Sequence, residues 1–273
     1  MRLRRLRRQR DPEGRMSLGD HLRELRRRTV ISALGILAGA VVGWTLFDQL
    51  YTSLTRPVAD LATQRTGSTA LVVFSTLTDS FSIRVAISLF VGLILASPLW
   101  VYQLWAFIVP GLTRKEKRTA IAFLAAAIPL FLAGCAMAYL VLPRAVQTLL
   151  GFTPESGSNI LPIADYLSFI LKFILAFGAA FLLPVFLVGL NAVGVLPART
   201  MLKGWRISVF LVFVFTAVMT PTPDPWMMIL MALPMIALFF GAVGIAALTD
   251  RRRARRAASL PWATLDDGQA SAL

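Results

Sequence analysis

The chain has 273 residues, 57% of them hydrophobic and only 15% charged, with a mean hydropathy of +0.70. A soluble domain carries about 25% charged residues, so this composition describes a membrane protein. Its 28 Lys and Arg against 14 Asp and Glu leave a net charge of +14, while one cysteine and one histidine exclude a disulfide scaffold and a His/Cys metal site.

In chain order, residues 1–16 read as a basic, disordered arm, and Met16 is a second candidate start. Ser17-Leu-Gly-Asp20 resembles a capping box, followed by Leu18, Leu22 and Leu25 at helical spacing. With Arg23, Arg26, Arg27 and Arg28 on its other faces, this predicts a short amphipathic helix at the cytoplasmic interface, running into the first span. The six-helix transmembrane domain is expected over 17–250, its spans at about 29–47, 85–109, 119–142, 166–190, 205–219 and 226–248. The fifth span is short, because 220–223 is proline turn chemistry. Fifteen residues at 1.5 Å each make roughly 22 Å, against a hydrocarbon core of ~30 Å. Thr113-Arg-Lys-Glu116 forms a second capping box, with Thr113 as N-cap and Glu116 at N3 of span three. Pro98, Pro129, Pro184 and Pro234 fall inside four spans, which predicts kinked helices and a concave body. The outer loops 48–84 and 144–172 are expected to pack as a cap, and 251–273 forms a basic and polar tail, disordered from Ala257 onward.

The basic residues set the orientation. Of the 28, 23 fall in 1–28, 114–118, 199–206 and 251–256, and four (Arg56, Arg65, Arg84, Arg144) fall on the other side. Lys172 lies near the outer end of span four and reads as snorkelling. This split predicts an all-α polytopic protein with both termini in the cytoplasm. It also explains the charge without nucleic acid, since no aromatic-interleaved basic patch accompanies it.

Chemistry is sparse. No pair of membrane carboxylates, no Ser–His pair within the spans, no His-Glu-x-x-His and no phosphate-binding loop is present, so the reading is a protein that is not an enzyme and needs no cofactor. A proton pump would place Asp, Glu or His at mid-span, and none is there. What stands out is a pair of acids on a basic face, Glu24 and Glu116, at the cytoplasmic entries of spans one and three. Each has a structural reading: Glu24 pairs with Arg28 at i, i+4, and Glu116 closes its capping box. Each also has a functional one, as an acceptor for a cationic ligand, for which guanidinium is suited because it binds carboxylate bidentately.

Four motifs carry a family resemblance. His21-Leu-Arg-Glu-Leu-Arg26, Tyr102-Gln-Leu-Trp-Ala-Phe-Ile-Val-Pro-Gly-Leu112 with the following Thr113-Arg-Lys-Glu-Lys-Arg118, Asp165-Tyr-Leu-Ser-Phe169 and Thr220-Pro-Thr-Pro-Asp224 are similar to segments of TatC, the polytopic receptor subunit of the twin-arginine translocase. The resemblance runs from about Ser17 to Asp250. It implies an inner-membrane receptor that binds the twin-arginine signal peptides of folded cargo and recruits single-span TatA/TatB-type subunits. Other copies of itself are expected partners, and the proton-motive force is the expected driving force. It assigns Glu24 and Glu116 to the signal's arginine pair, Arg26 and Phe107 to the same site, and Pro57 and Asp224 to outer positions that matter for function or partner contact. One departure is visible: many members carry Glu or Gln just before the span-four proline, where this chain has Leu182. The alternative from another class is a small-solute secondary transporter, which would need midplane polar residues and a pseudo-symmetric repeat.

Overall fold

The structure, a computed structural model, describes residues 18–64, 70–108, 114–152, 159–220 and 224–259. Helix α1 spans Leu18–Thr45, and α3 spans Asp79–Leu95. Gly35, Gly39 and Gly43 repeat every fourth residue, which puts all three on one face of α1. That face meets α3 so closely that a Cβ on Gly39 would sit 2.9 Å from Gly92 Cα. Small residues let two backbones approach in lipid, where packing rather than water drives association.

Span two is broken. Instead of one helix over 85–109, α3 is followed by α4 (Ser97–Ile108) at an angle of 63°. Pro98 has no N–H for the Ile94 carbonyl, and the Leu93 carbonyl at the break accepts the Trp100 indole N–H at 2.9 Å. The indole thus supplies a donor to one carbonyl at the break, beside the Ile94 carbonyl that Pro98 cannot serve.

The helices α5 (Arg114–Gly151) and α6 (Ile163–Ala192) form the centre. Phe131, Cys135 and Ala138 of α5 pack with Phe173, Phe177 and Phe181 of α6 in the main core. Trp105 of α4 joins it by stacking on Phe123, with centroids 4.1 Å apart. Pro129, Pro143 and Pro184 are accommodated inside these helices. The expected outer loop 144–172 is therefore largely helix: α5 continues past Pro143 to Gly151, and α6 begins at Ile163.

The first outer loop is also ordered. Helix α2 (Phe47–Gln64) lays Leu54 and Val58 into the core, with Phe47, Leu50 and Tyr51 alongside. Strands β1 (Ala70–Val73) and β2 (Asn159–Pro162) pair in parallel, Ala70 opposite Asn159, and join the two outer loops. Beside the helices that make up the fold, this short ladder is the strand pairing among the described residues.

On the other flank lie α7 (Ala198–Lys203), α8 (Trp205–Met219) and α9 (Pro225–Ala258). Only Thr216 of α8 is buried. Helix α9 continues through 251–256 to Ala258, so the tail begins as helix. Among the described residues four helices are long and apolar enough to cross a membrane, the bent α3–α4 pair meets that test only when its two helices are taken together, and α8 is a shorter apolar helix. The arm 1–16, the Ser17 and Thr113 caps, the prolines of 221–223 and the tail from 260 lie outside the described residues.

Candidate functional site

The first turns of α1 pack against the end of α4. His21 stacks on Phe107 with ring centroids 4.5 Å apart and planes 25° from parallel. Two turns further along α1, the Arg28 guanidinium donates through Nη1 to Gln103 Oε1 at 3.1 Å. Its Nη2 pairs with Glu24 Oε1 at 2.7 Å. Helical spacing explains the arrangement, because 21, 24, 25 and 28 share a face and 103 and 107 are one turn apart on α4. The pair is half-buried, the side chains of Arg28 and Glu24 being 21% and 34% exposed. An exposed i, i+4 pair contributes about 0.3–0.5 kcal/mol, and partial burial with the Gln103 bond raises that figure.

Behind this polar rim lies a groove of about 400 Å³ between α1 and α4–α6. Arg28, Thr29, Ser32 and Gln103 supply its few polar groups, and Trp100, Leu104, Phe107, Phe131 and Leu175 most of the rest. A few polar groups at the mouth of an apolar cleft favour an amphipathic ligand, whose charge stays at the rim.

Phe107 lines the groove and stacks on His21, while Glu24 reaches the groove only through Arg28, which lines it. Glu24 is engaged by Arg28, so the local ion pair expected from spacing is present. Arg26 is exposed, does not line the groove, and has no polar partner among the described residues. Glu116 lies in the first turn of α5. The residues that sequence reasoning passed over are Arg28, read only as a partner of Glu24, and Gln103, whose role depends on where α4 bends.

At the start of α9, Asp224 Oδ1 accepts the Trp226 N–H at 3.0 Å. Pro57 belongs to α2, and its missing N–H leaves the Ser53 carbonyl free for the Tyr139 hydroxyl at 3.4 Å. The neighbouring Leu54 carbonyl accepts from the buried Tyr166 hydroxyl at 3.0 Å. Leu182 is 3% exposed and packs in the core.

The C-terminal end of α9 holds a second polar cluster. Asp250 accepts the Ala198 N–H at 2.8 Å and the Asn191 amide at 2.9 Å. These bonds, the Ala198 amide first, hold its carboxyl below the usual aspartate range. Asp250 lies past the apolar stretch of α9. One turn on, Arg253 donates to the carbonyls of Asn191 and Ala192 at the end of α6. The cluster fastens the α6–α7 turn to α9. Among the described residues no group of three His, Cys, Asp or Glu could hold a metal ion.

Several helices long and apolar enough to cross a bilayer, packed around an arginine-rimmed apolar groove, define a polytopic membrane protein. The family model of TatC, described as Sec-independent protein translocase protein, matches residues 20–234. The chain is 48% identical to the Sec-independent protein translocase protein TatC of Xylanimonas cellulosilytica, over 89% of this chain and 88% of that one. To the TatC of Rothia mucilaginosa it is 38% identical, over 92% and 85%. A crystal structure of the twin arginine translocase receptor TatC superposes with a TM-score of 0.67 at 34% identity, covering 85% of this chain and all of the other. The chain belongs to the TatC family: it is a component of the Sec-independent protein translocase, not an enzyme.

Proposed function

We propose that the chain is the receptor of the twin-arginine translocase in the cytoplasmic (inner) membrane, with six crossings and both termini in the cytoplasm. Four long helices, the bent α3–α4 pair and the short α8 supply six apolar elements for that count. The 23 basic residues on one side support the orientation. Glu24 and Glu116 receive the arginine pair of the signal peptide, and Arg26 and Phe107 belong to the same surface. The signal's apolar stretch lies in the groove. One observation carries the reading: Glu24 sits at the rim of an apolar cleft on an otherwise basic face, where a carboxylate beside a hydrophobic slot matches a guanidinium followed by apolar residues.

Pro57 and Asp224 support the outer surface by shaping α2 and the start of α9. Single-span TatA/TatB-type subunits and further copies of the chain are the partners of the assembly, and the proton-motive force drives export. The experiment is photocrosslinking of a twin-arginine precursor to full-length protein in membrane vesicles. Glu24→Ala and Glu116→Ala should each abolish the crosslink while membrane insertion is retained. Glu24→Lys should do worse than Ala, since it adds like-charge repulsion. Undiminished crosslinking in the double Ala variant overturns the assignment.

A further inference from the structure

We infer that Arg28 is an internal competitor for Glu24: it occupies the acceptor in the unliganded receptor and sets the affinity that an incoming guanidinium must exceed. The inference rests on the reading of Glu24 as an acceptor for the signal's arginines, and it adds the residue that decides how easily that acceptor is reached.

Three observations on one side chain carry it. Arg28 places Nη2 on Glu24 at 2.7 Å, so the carboxylate already holds the kind of ligand it is proposed to receive. Its Nη1 reaches across to Gln103 of α4 at 3.1 Å, so the guanidinium ties α1 to α4 over the rim. Its Nε is buried with no hydrogen-bond partner among the described residues, so the bound position leaves one donor unsatisfied. An unpaired buried donor makes the resting contact weaker than a fully satisfied one. An incoming arginine can offer two parallel N–H groups to the carboxylate, where Arg28 makes one short contact. A lysine ammonium is a point charge with no such fork. The displacement cost is common to both ligands, and only the guanidinium recovers it in full. Because Arg28 also lines the groove, its departure from Glu24 and Gln103 removes the polar strap from the groove's mouth. Motif recognition and entry of the apolar stretch are thereby linked through one side chain.

The test measures binding of two fluorescent synthetic signal peptides, Arg-Arg and Lys-Lys, to full-length protein in lipid nanodiscs. Arg28→Ala should tighten both by about two- to fivefold, the worth of a half-screened ion pair. Arg28→Lys keeps the charge but cannot hold Glu24 and Gln103 together, and should give a smaller rise. Arg27→Ala removes the same charge one residue away and controls for general electrostatics. In a Glu24→Ala background, which lacks the acceptor, Arg28→Ala should restore no more binding than Arg27→Ala does. Binding that is unchanged or weaker in both Arg28 variants overturns the inference, as a purely structural ion pair would produce. Undiminished Arg-Arg binding in Glu24→Ala alone overturns the reading of Glu24 itself, which is a different result.

Discussion

Asp224 Oδ1 accepts the Trp226 amide N–H at 3.0 Å and so serves as the N-cap of α9, with Pro225 at the first helical position. Its carboxylate also faces the positive end of the helix dipole. An outer residue that the family resemblance marks for function is thus first a helix start. Asp224→Ala should cost about 0.5–2 kcal/mol. For a chain of this size that lowers the melting temperature in detergent by about 2–4 °C per kcal/mol. Asp224→Asn keeps the acceptor and should melt close to the parent. If Asn were as destabilised as Ala, the charge rather than the cap would be the operative feature.

Gly39 and Gly92 make a second prediction about the fold. A Cβ on Gly92 would sit 2.3 Å from the Ile36 carbonyl oxygen, which is backbone and cannot rotate away. Gly92→Ala should therefore separate α1 from α3 and cost about 1–3 kcal/mol. Gly241, in α9, has nothing within 4 Å of a built Cβ. There alanine should be neutral or stabilise by up to about 1 kcal/mol through helix propensity. Unfolding both variants in a mixed-micelle titration checks the contrast. Equal effects at the two sites would contradict close packing of α1 on α3.

Particular residues show where sequence reading succeeds and where it stops. The bounds of α8 and the apolar stretches of the long helices follow from charge-free length, because desolvation of a charge dominates every other term in lipid. Pro98 was legible as a kink but not as a 63° break, since the outcome depends on Trp100 reaching the Leu93 carbonyl. Helix α2 carries an apolar repeat at Phe47, Leu50, Tyr51, Leu54 and Val58 that runs through Pro57, within a segment expected to be loop. The β1–β2 ladder joins segments nearly ninety residues apart, and no local pattern of four residues announces a distant partner. At the site, the Glu24–Arg28 contact was written in i, i+4 spacing, whereas Gln103 required the tertiary angle of α4.

Pro57 and Tyr139 offer a double-variant test. The Ser53 carbonyl takes the Tyr139 hydroxyl because residue 57 has no N–H to give it. Tyr139→Phe should cost about 0.5 kcal/mol at this long, exposed bond. In a Pro57→Ala background the new amide can serve Ser53, and the same change should cost nothing measurable. Tyr166→Phe is the comparison, for its hydroxyl is buried against Leu54, and the loss should be about 1–2 kcal/mol with either residue at 57. Additive costs for Pro57 and Tyr139 would show that the carbonyl is not shared between them.

Asp250 predicts an acid dependence. The Ala198 N–H and then the Asn191 amide favour its ionised form, so its folded value lies below its unfolded value, which is about 3.9. A lowered folded value means the contribution is complete above the unfolded pKa and is lost as pH falls through the folded one. The melting temperature of the parent should therefore decline below about pH 4. Asp250→Asn, which retains one acceptor and cannot titrate, should show a shallower decline there, from a lower starting stability. Asp79 is also held low, by the Thr76 hydroxyl first and then the Thr76 amide, and it titrates in the same range in both proteins. The difference between the two curves thus isolates Asp250. Trypsin gives an independent readout, because release of Asp250 unfastens α9 from the α6–α7 turn and lets the helix that carries the exposed arginines of 251–256 fray into a cleavable form. Parallel curves with identical cleavage would mean that Arg253 alone, through the Asn191 and Ala192 carbonyls, holds the turn.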